Sequence, residues 1–279
     1  MVNGIVQSIL IGSDGIVARS SALGIQGNNN LSVGATFEIF AALPHSKMTD
    51  DNAVIAHVAT KLNSYNTQLI IPSNGLIAYY PFNGNTNDES GNNIDGSVIG
   101  NLQLSSDRKG NLNQSYNFDG NYNNYIKIPS TSINNLQNLS ICAWVKPLQN
   151  GGFIVSAGRD ITSGSFRLVN SNFATQVNYN GINGCGATAA LPLNQWAFIV
   201  GTLNGLQSKY YLNGQLVDSV TISSLFNTNI SCHSLVIGRH STYCSQDNSF
   251  PYPFSGSIDD IRIYNRELSQ SEILMLYND

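Results

Sequence analysis

The chain has 279 residues, of which 42% are hydrophobic and only 11% charged, with a formal net charge of −4. So sparse and slightly acidic a charge complement excludes non-specific attraction to nucleic acid or to an anionic membrane, both of which call for a basic run or a basic helix. The length favours two domains, and surface polarity must come from Asn, Ser, Thr and Gly, as in NGNTNDESGNN at 83–93 and NLNQSYNFDGNYNN at 111–124.

Residues 1–73 read as a small α+β unit. GIVQSILIG and GIVARSSALGI predict two strands joined by the Gly12-Ser13-Asp14-Gly15 turn. Leu31, Val33, Ala35, Phe37 and Ile39 share one face of a third strand with period two. Thr49, Asp50 and Asp51 offer N-cap oxygens to a helix over about 52–63, with Val54, Val58 and Leu62 at i, i+4 and i+8, and QLIIP closes the unit. No chemistry is legible in it, and its apolar content points to anchoring or oligomerisation. The start, MVNGIVQSILIGSDG, lacks the basic and long apolar regions of a classical secretory signal peptide.

After Pro72-Ser73-Asn74-Gly75 the pattern changes to short strands between Gly/Asn/Ser turns, which predicts an antiparallel β-sandwich or jelly roll over 74–279. The strands include LIAYYPF, SYNFDG, YIKIP, LSICAWVKP, GFIVSAG, SFRLVN, WAFIVGTLN, KYYLNGQLVDS, SLVIGRH and SIDDIRIYN, and the spacing of Ile273 and Tyr277 gives LSQSEILMLYND a short helix. Asn213-Gly214 is a two-residue type I′ hairpin turn. The four cysteines, Cys142, Cys185, Cys232 and Cys244, are too far apart for a metal knuckle. Cys142 alternates on its strand as a small buried hydrophobe. Cys185 and Cys244 fall in loop-like sequence, and whether they are bridged depends on the redox compartment.

Seven segments of this second part, in order, resemble the laminin-G-like jelly-roll domains of the concanavalin A-like lectin/glucanase superfamily. They are LIAYYPFNGNTNDESGNN, YNFDG with YIKIP, SICAWVKP, NQWAFIVGTLNG, YYLNGQLVDS, LVIGR and GSIDDIRIYNRELSQSEI. The resemblance implies a mainly β fold, an antiparallel concanavalin A-like sandwich, preceded by the small α+β unit, and in many relatives a structural Ca²⁺. A calcium site can also be argued from the residues. Strict alternation through Ile258-Asp259-Asp260-Ile261-Arg262-Ile263 puts Asp259 on the buried face with Ile261 and Ile263. A buried carboxylate must be paired or neutralised. Asp88, Asn92 and Asp95, in an Asn/Asp-dense loop, supply further oxygens suited to a hard cation, so Asp88, Asn92, Asp95 and Asp259 are the expected calcium ligands. Loop amides hydrogen-bonded to Asp259 are the alternative.

Binding is expected in place of catalysis. The four glutamates, Glu38, Glu89, Glu267 and Glu272, include no ExDxxE array, and neither GxSxG nor HExxH occurs. The long segment 239–254, RHSTYCSQDNSFPYPF, gathers aromatic rings beside polar groups and is the first candidate for a glycan contact, through Arg239, His240, Tyr243 and Tyr252; packing of these rings onto the sandwich is the alternative. Arg159 and Asp160, with Arg167 and Tyr179, form a second, which a surface ion pair would equally explain. The reading is thus a non-enzymatic carbohydrate-binding or adhesion protein that recognises a cell-surface glycan or glycoprotein. Its expected setting is extracellular or the surface of a virion or phage fibre, as a homo-oligomer, a trimer by preference, assembled through residues 1–73. The alternatives are a particle decoration that binds no sugar, and a glucanase-type hydrolase.

Overall fold

The computed structural model describes residues 71–129, 133–158, 165–170, 172–178, 181–186, 191–222, 235–241 and 252–279, all within a compact unit that spans Ile70–Asp279. The α+β unit expected over 1–73 lies outside the described residues apart from its last three. In chain order the strands are β1 (Leu76–Tyr80), β2 (Ser97–Ile99), β3 (Gln103–Ser105), β4 (Ser115–Asp119), β5 (Tyr125–Ile128), β6 (Asn138–Pro147), β7 (Phe153–Ala157) and β8 (Ser165–Val169). They continue as β9 (Asn172–Asn178), β10 (Gly181–Gly186), β11 (Ala197–Asn204), β12 (Gln207–Leu212), β13 (Gln215–Thr221), β14 (Leu235–Ile237) and β15 (Ser255–Tyr264), and the helix α1 (Gln270–Tyr277) follows.

These strands build two antiparallel sheets, as expected. One has the order β13-β12-β11-β6-β15-β4-β3, with β1 also on β15; the other runs β10-β9-β8-β7-β14-β5-β2. The central strand β6 explains the architecture. Its Ile141, Ala143 and Val145 point between the sheets, into a core that holds Ile126, Ile128, Val155, Leu235 and Ile237. Its Cys142 and Trp144 point the other way, into a second cluster with Phe198, Val200, Tyr211, Tyr264 and the helix residues Ile273 and Leu276. Because α1 covers the outer face, β6 is buried on both sides, and SICAWV carries apolar residues at consecutive positions where a half-solvated strand would alternate.

Helix α1 is held by a capping box. The Ser269 side chain accepts from the Glu272 amide, and the Glu272 carboxylate accepts from the Ser269 amide at 2.8 Å. Arg266 donates to the same carboxylate at 2.7 and 2.9 Å, and this hydrogen bonding draws Glu272 down to about 2. The expected turn is present too: Asn213 and Gly214 have φ of 49° and 77°, the pair of left-handed residues that a type I′ hairpin requires. Burial pushes the Cys142 thiol up to about 12, and Cys185 is also buried, with Sγ 3.3 Å from Ser208 Oγ. Cys232 and Cys244 lie outside the described residues.

The expected alternation of β15 is wrong at one point. Asp259 pairs with Trp144 and Arg262 with Cys142, so three steps along β15 match two along β6, and a β-bulge falls between them. Asp260, in the bulge, takes the left-handed conformation with φ of 48°. The extra residue reverses the parity. Ile258 lies on one side of the bulge and Ile261 and Ile263 on the other, and all three reach the inter-sheet core. Asp259, opposite Trp144, faces outward. It is buried as expected, at 2% exposure, but on the other face of the sheet from Ile261 and Ile263.

Candidate functional site

Three groups of residues bear on function, and the first is the acidic loop between β1 and β2. Asp88 Oδ1 accepts from the amides of Tyr79 and Ser90, both at 2.9 Å, and Oδ2 from the Ile94 amide at 3.0 Å and Ser90 Oγ at 2.9 Å. A carboxylate has about four lone-pair positions, and here each has a donor. Burial by itself would raise Asp88, but these hydrogen bonds outweigh it and hold the group below the usual carboxylate range. Asp95 Oδ1 accepts from the Asp88 amide at 2.8 Å, and Asn92 Nδ2 donates to the Ile77 carbonyl at 2.8 Å. Asp88, Asn92 and Asp95 therefore come together as a hydrogen-bonded brace on β1, whereas Asp259 has other partners. The four residues expected to hold calcium do not form one donor set. Among the described residues no group of three or more His, Cys, Asp or Glu is placed to hold a metal ion.

The second group surrounds the bulge. Arg108, from the β3–β4 connection, pairs with Asp260 and lies 3.7 Å from Asp259 Oδ2. Tyr79 Oη donates to Asp260 Oδ1 at 2.9 Å. Arg262, itself buried, lies 2.9 Å from Asp279 Oδ2, with its guanidinium 4.1 Å from the Tyr79 ring centre. Arg108 also sits 4.7 Å over the Trp144 ring, which stacks on Tyr277 of α1 at 5.6 Å. Burial, and then the neighbouring charge of Asp260, push Asp259 up to about 8. The arrangement clamps α1 and the β3–β4 connection to the sheet. Glycosidase carboxyls flank an open groove, which these buried groups do not.

The third group is a band at one end of the second sheet, and it contains three of the expected glycan contacts, Arg239, His240 and Tyr252. Arg239 is only 8% exposed. Its guanidinium lies between the rings of Tyr122 and Tyr125, at 4.1 and 3.7 Å from their centres, and donates to the Tyr122 carbonyl at 3.2 Å. His240 is buried beside it and meets the Phe153 ring edge-on at 4.8 Å. Arg239 and His240 are thus buried against aromatic rings, unlike an exposed contact residue. Tyr252 differs: its side chain is 59% exposed, and its ring centre lies 6.1 Å from that of Phe153. The backbone fixes it there. Phe153 N donates to the Tyr252 carbonyl at 3.1 Å, and a Cβ on Gly152 (φ 90°) would stand 2.7 Å from Phe254 Cα, so only glycine lets this segment lie so close.

Tyr243, Arg159, Asp160 and Tyr179 lie outside the described residues. Arg167 approaches the Phe153 ring at 5.9 Å. The sequence reading missed Tyr122, Tyr125, Phe153 and Arg108. Their relation to Arg239, Tyr252 and Asp260 is made by strand pairing across more than a hundred positions in most cases, which local pattern does not display. The bulge, in contrast, left a trace: Ile258, Ile261 and Ile263 are spaced by three and then by two.

Residues 119–274 match the family model described as the concanavalin A-like lectin/glucanases superfamily. No curated protein sequence is matched. Among solved structures the chain is similar to domain 4 of AbnA, a GH43 extracellular arabinanase from Geobacillus stearothermophilus, in complex with arabinotriose. That likeness has a TM-score of 0.59 and 21% identity, over 72% of this chain and 98% of that one. It is also similar to the binding domain of Paraclostridial Mosquitocidal Protein 1, with a TM-score of 0.59 and 22% identity over 76% of this chain and 53% of that one. The binding domain of Botulinum Neurotoxin DC in complex with SialylT is similar with a TM-score of 0.56 and 19% identity, over 74% of this chain and 51% of that one. The chain thus spans about half the length of the two toxin binding domains, and at these identities the likeness is one of fold.

Proposed function

This chain belongs to the concanavalin A-like lectin/glucanases superfamily, and on that premise we propose that its β-sandwich is a non-catalytic carbohydrate-binding module for glycans of cell surfaces or glycoproteins. The observation that carries the reading is the exposed Tyr252 ring, set beside Phe153 and fixed by its backbone. A ring held in this way offers an apolar face to the C–H side of a sugar, with a hydroxyl at its edge, and loses little freedom on binding. The fold neighbours lend support, since the arabinanase domain was solved with arabinotriose and the neurotoxin domain with SialylT.

The absence of catalysis is supported by the use made of the acids. Glu272 caps α1, Glu267 pairs with Lys209 at 2.8 Å, and Asp259 and Asp260 lie beneath Arg108. The setting we favour is an extracellular or virion-surface adhesin in which linked copies offset weak single sites. A trimeric mass for the full chain in solution supports that setting, and a monomer removes it.

Glycan-array binding by the full chain tests the function. Tyr252→Ala, on a protein of unchanged melting temperature, is expected to lose about tenfold or more in affinity, equivalent to ~1.4 kcal/mol. Full retention of binding by that variant moves the site elsewhere. Binding to no glycan removes the reading, and turnover of an oligosaccharide removes its non-catalytic part.

A further inference from the structure

Resting on the glycan reading, we infer that the ligand is an uncharged glycan, held along a rim to which three loops contribute, of which Tyr252 is one end. The loops are 147–152 (PLQNGG), 191–196 (LPLNQW) and 252–256 (YPFSG). Main-chain hydrogen bonds tie them together: Leu148 N to the Ser255 carbonyl and Asn194 N to the Pro147 carbonyl, both at 2.8 Å, and Phe153 N to the Tyr252 carbonyl. All three therefore sit at the end of the sandwich where β6 stops and β7, β11 and β15 begin.

Two properties of this rim select a ligand. Large apolar side chains stand out at the tips, with Leu148 45%, Leu193 42% and Tyr252 59% exposed, while Gln149, Asn150 and Asn194 are exposed among them. None of the three segments contains a charged residue. Among the described residues, Arg239 is stacked between Tyr122 and Tyr125, and Arg167 lies beside the Phe153 ring.

Each amide offers two donors and an acceptor, the complement of a hydroxyl, and the apolar tips match the C–H faces of a pyranose or furanose ring. A carboxylate or sulfate placed on this rim would lose hydration with no counter-charge within the three segments to receive it. The surface suits neutral oligosaccharides for that reason, and a bilayer suits it less, since amides interrupt the apolar tips.

The test compares neutral oligosaccharides with their sialylated, uronic and sulfated counterparts, using the full chain at low and high salt, together with neutral phosphatidylcholine vesicles. Neutral glycans are expected to bind with an affinity that added salt leaves nearly unchanged, because no ion pair is there to be screened. A Leu148→Ser/Leu193→Ser variant of unchanged melting temperature is expected to weaken neutral-glycan binding by about threefold or more, a loss of roughly 0.7 kcal/mol. Preference for acidic glycans that salt abolishes would overturn the inference and leave the glycan-binding function in place. So would undiminished binding by the double variant, which would confine the site to Tyr252. Vesicle binding with no glycan bound at all would overturn both.

Discussion

Arg108 reaches Asp260 across 152 positions of sequence, and the pair is buried under the aromatic cluster of Trp144 and Tyr277. Arg108→Ala would leave the Asp260 charge with its nearest cation, Arg262, 3.8 Å away and already engaged with Asp279. Removing one partner of a buried ion pair costs about 3–5 kcal/mol. Urea unfolding should register a loss of that order for Arg108→Ala. A loss below ~1 kcal/mol, the range of a surface pair, would show that the clamp contributes little.

Asp259 makes stability depend on pH in a stated direction. Its folded value, about 8, lies above the ordinary 3.8, so the folded state favours the protonated form. The stabilisation is complete below the unfolded value and is lost as pH rises through the folded one. Asp259→Asn keeps a neutral group at all pH values. The variant and the natural protein should have similar melting temperatures near pH 4, with the variant gaining relative stability as pH rises towards about 8. Parallel curves across that window would mean that Asp259 is ionised throughout.

Asp88 gathers four hydrogen bonds from Tyr79, Ser90 and Ile94. Asp88→Asn turns one acceptor oxygen into a donor and leaves buried N–H groups without a partner, each at a cost of about 1–3 kcal/mol. A brace of this kind works without a cation, so EDTA should leave the melting temperature of the natural protein where calcium leaves it. A rise on adding calcium would reveal a native-state ligand and restore the metal role of this loop.

Much of the fold was legible because it rests on patterns of short range. The Asn213-Gly214 turn, the short C-terminal helix and the strand of β6 each declare themselves within ten residues. The parity of β15 was misread because strict alternation was carried through Asp259-Asp260, although the three-residue gap from Ile258 to Ile261 signalled an inserted residue. The site was legible in part. Tyr252 stands exposed as a candidate contact should, but a long aromatic-rich segment reads the same whether its residues face solvent or pack, and Arg239 and His240 pack. What decides between the two is the partner surface, here Tyr122, Tyr125 and Phe153, which only pairing of distant strands supplies.

The pairing of β1 with β15 has an architectural corollary. Tyr264 Oη donates to the Pro72 carbonyl at 2.9 Å, and Asn265 N to that of Gly75, so the polypeptide comes into the sandwich beside the place where β15 finishes. Tyr252 precedes the opposite end of the same ten-residue strand, roughly 30 Å away at ~3.3 Å per residue. The chain's point of entry and the Tyr252 loop thus occupy opposite poles of the sandwich.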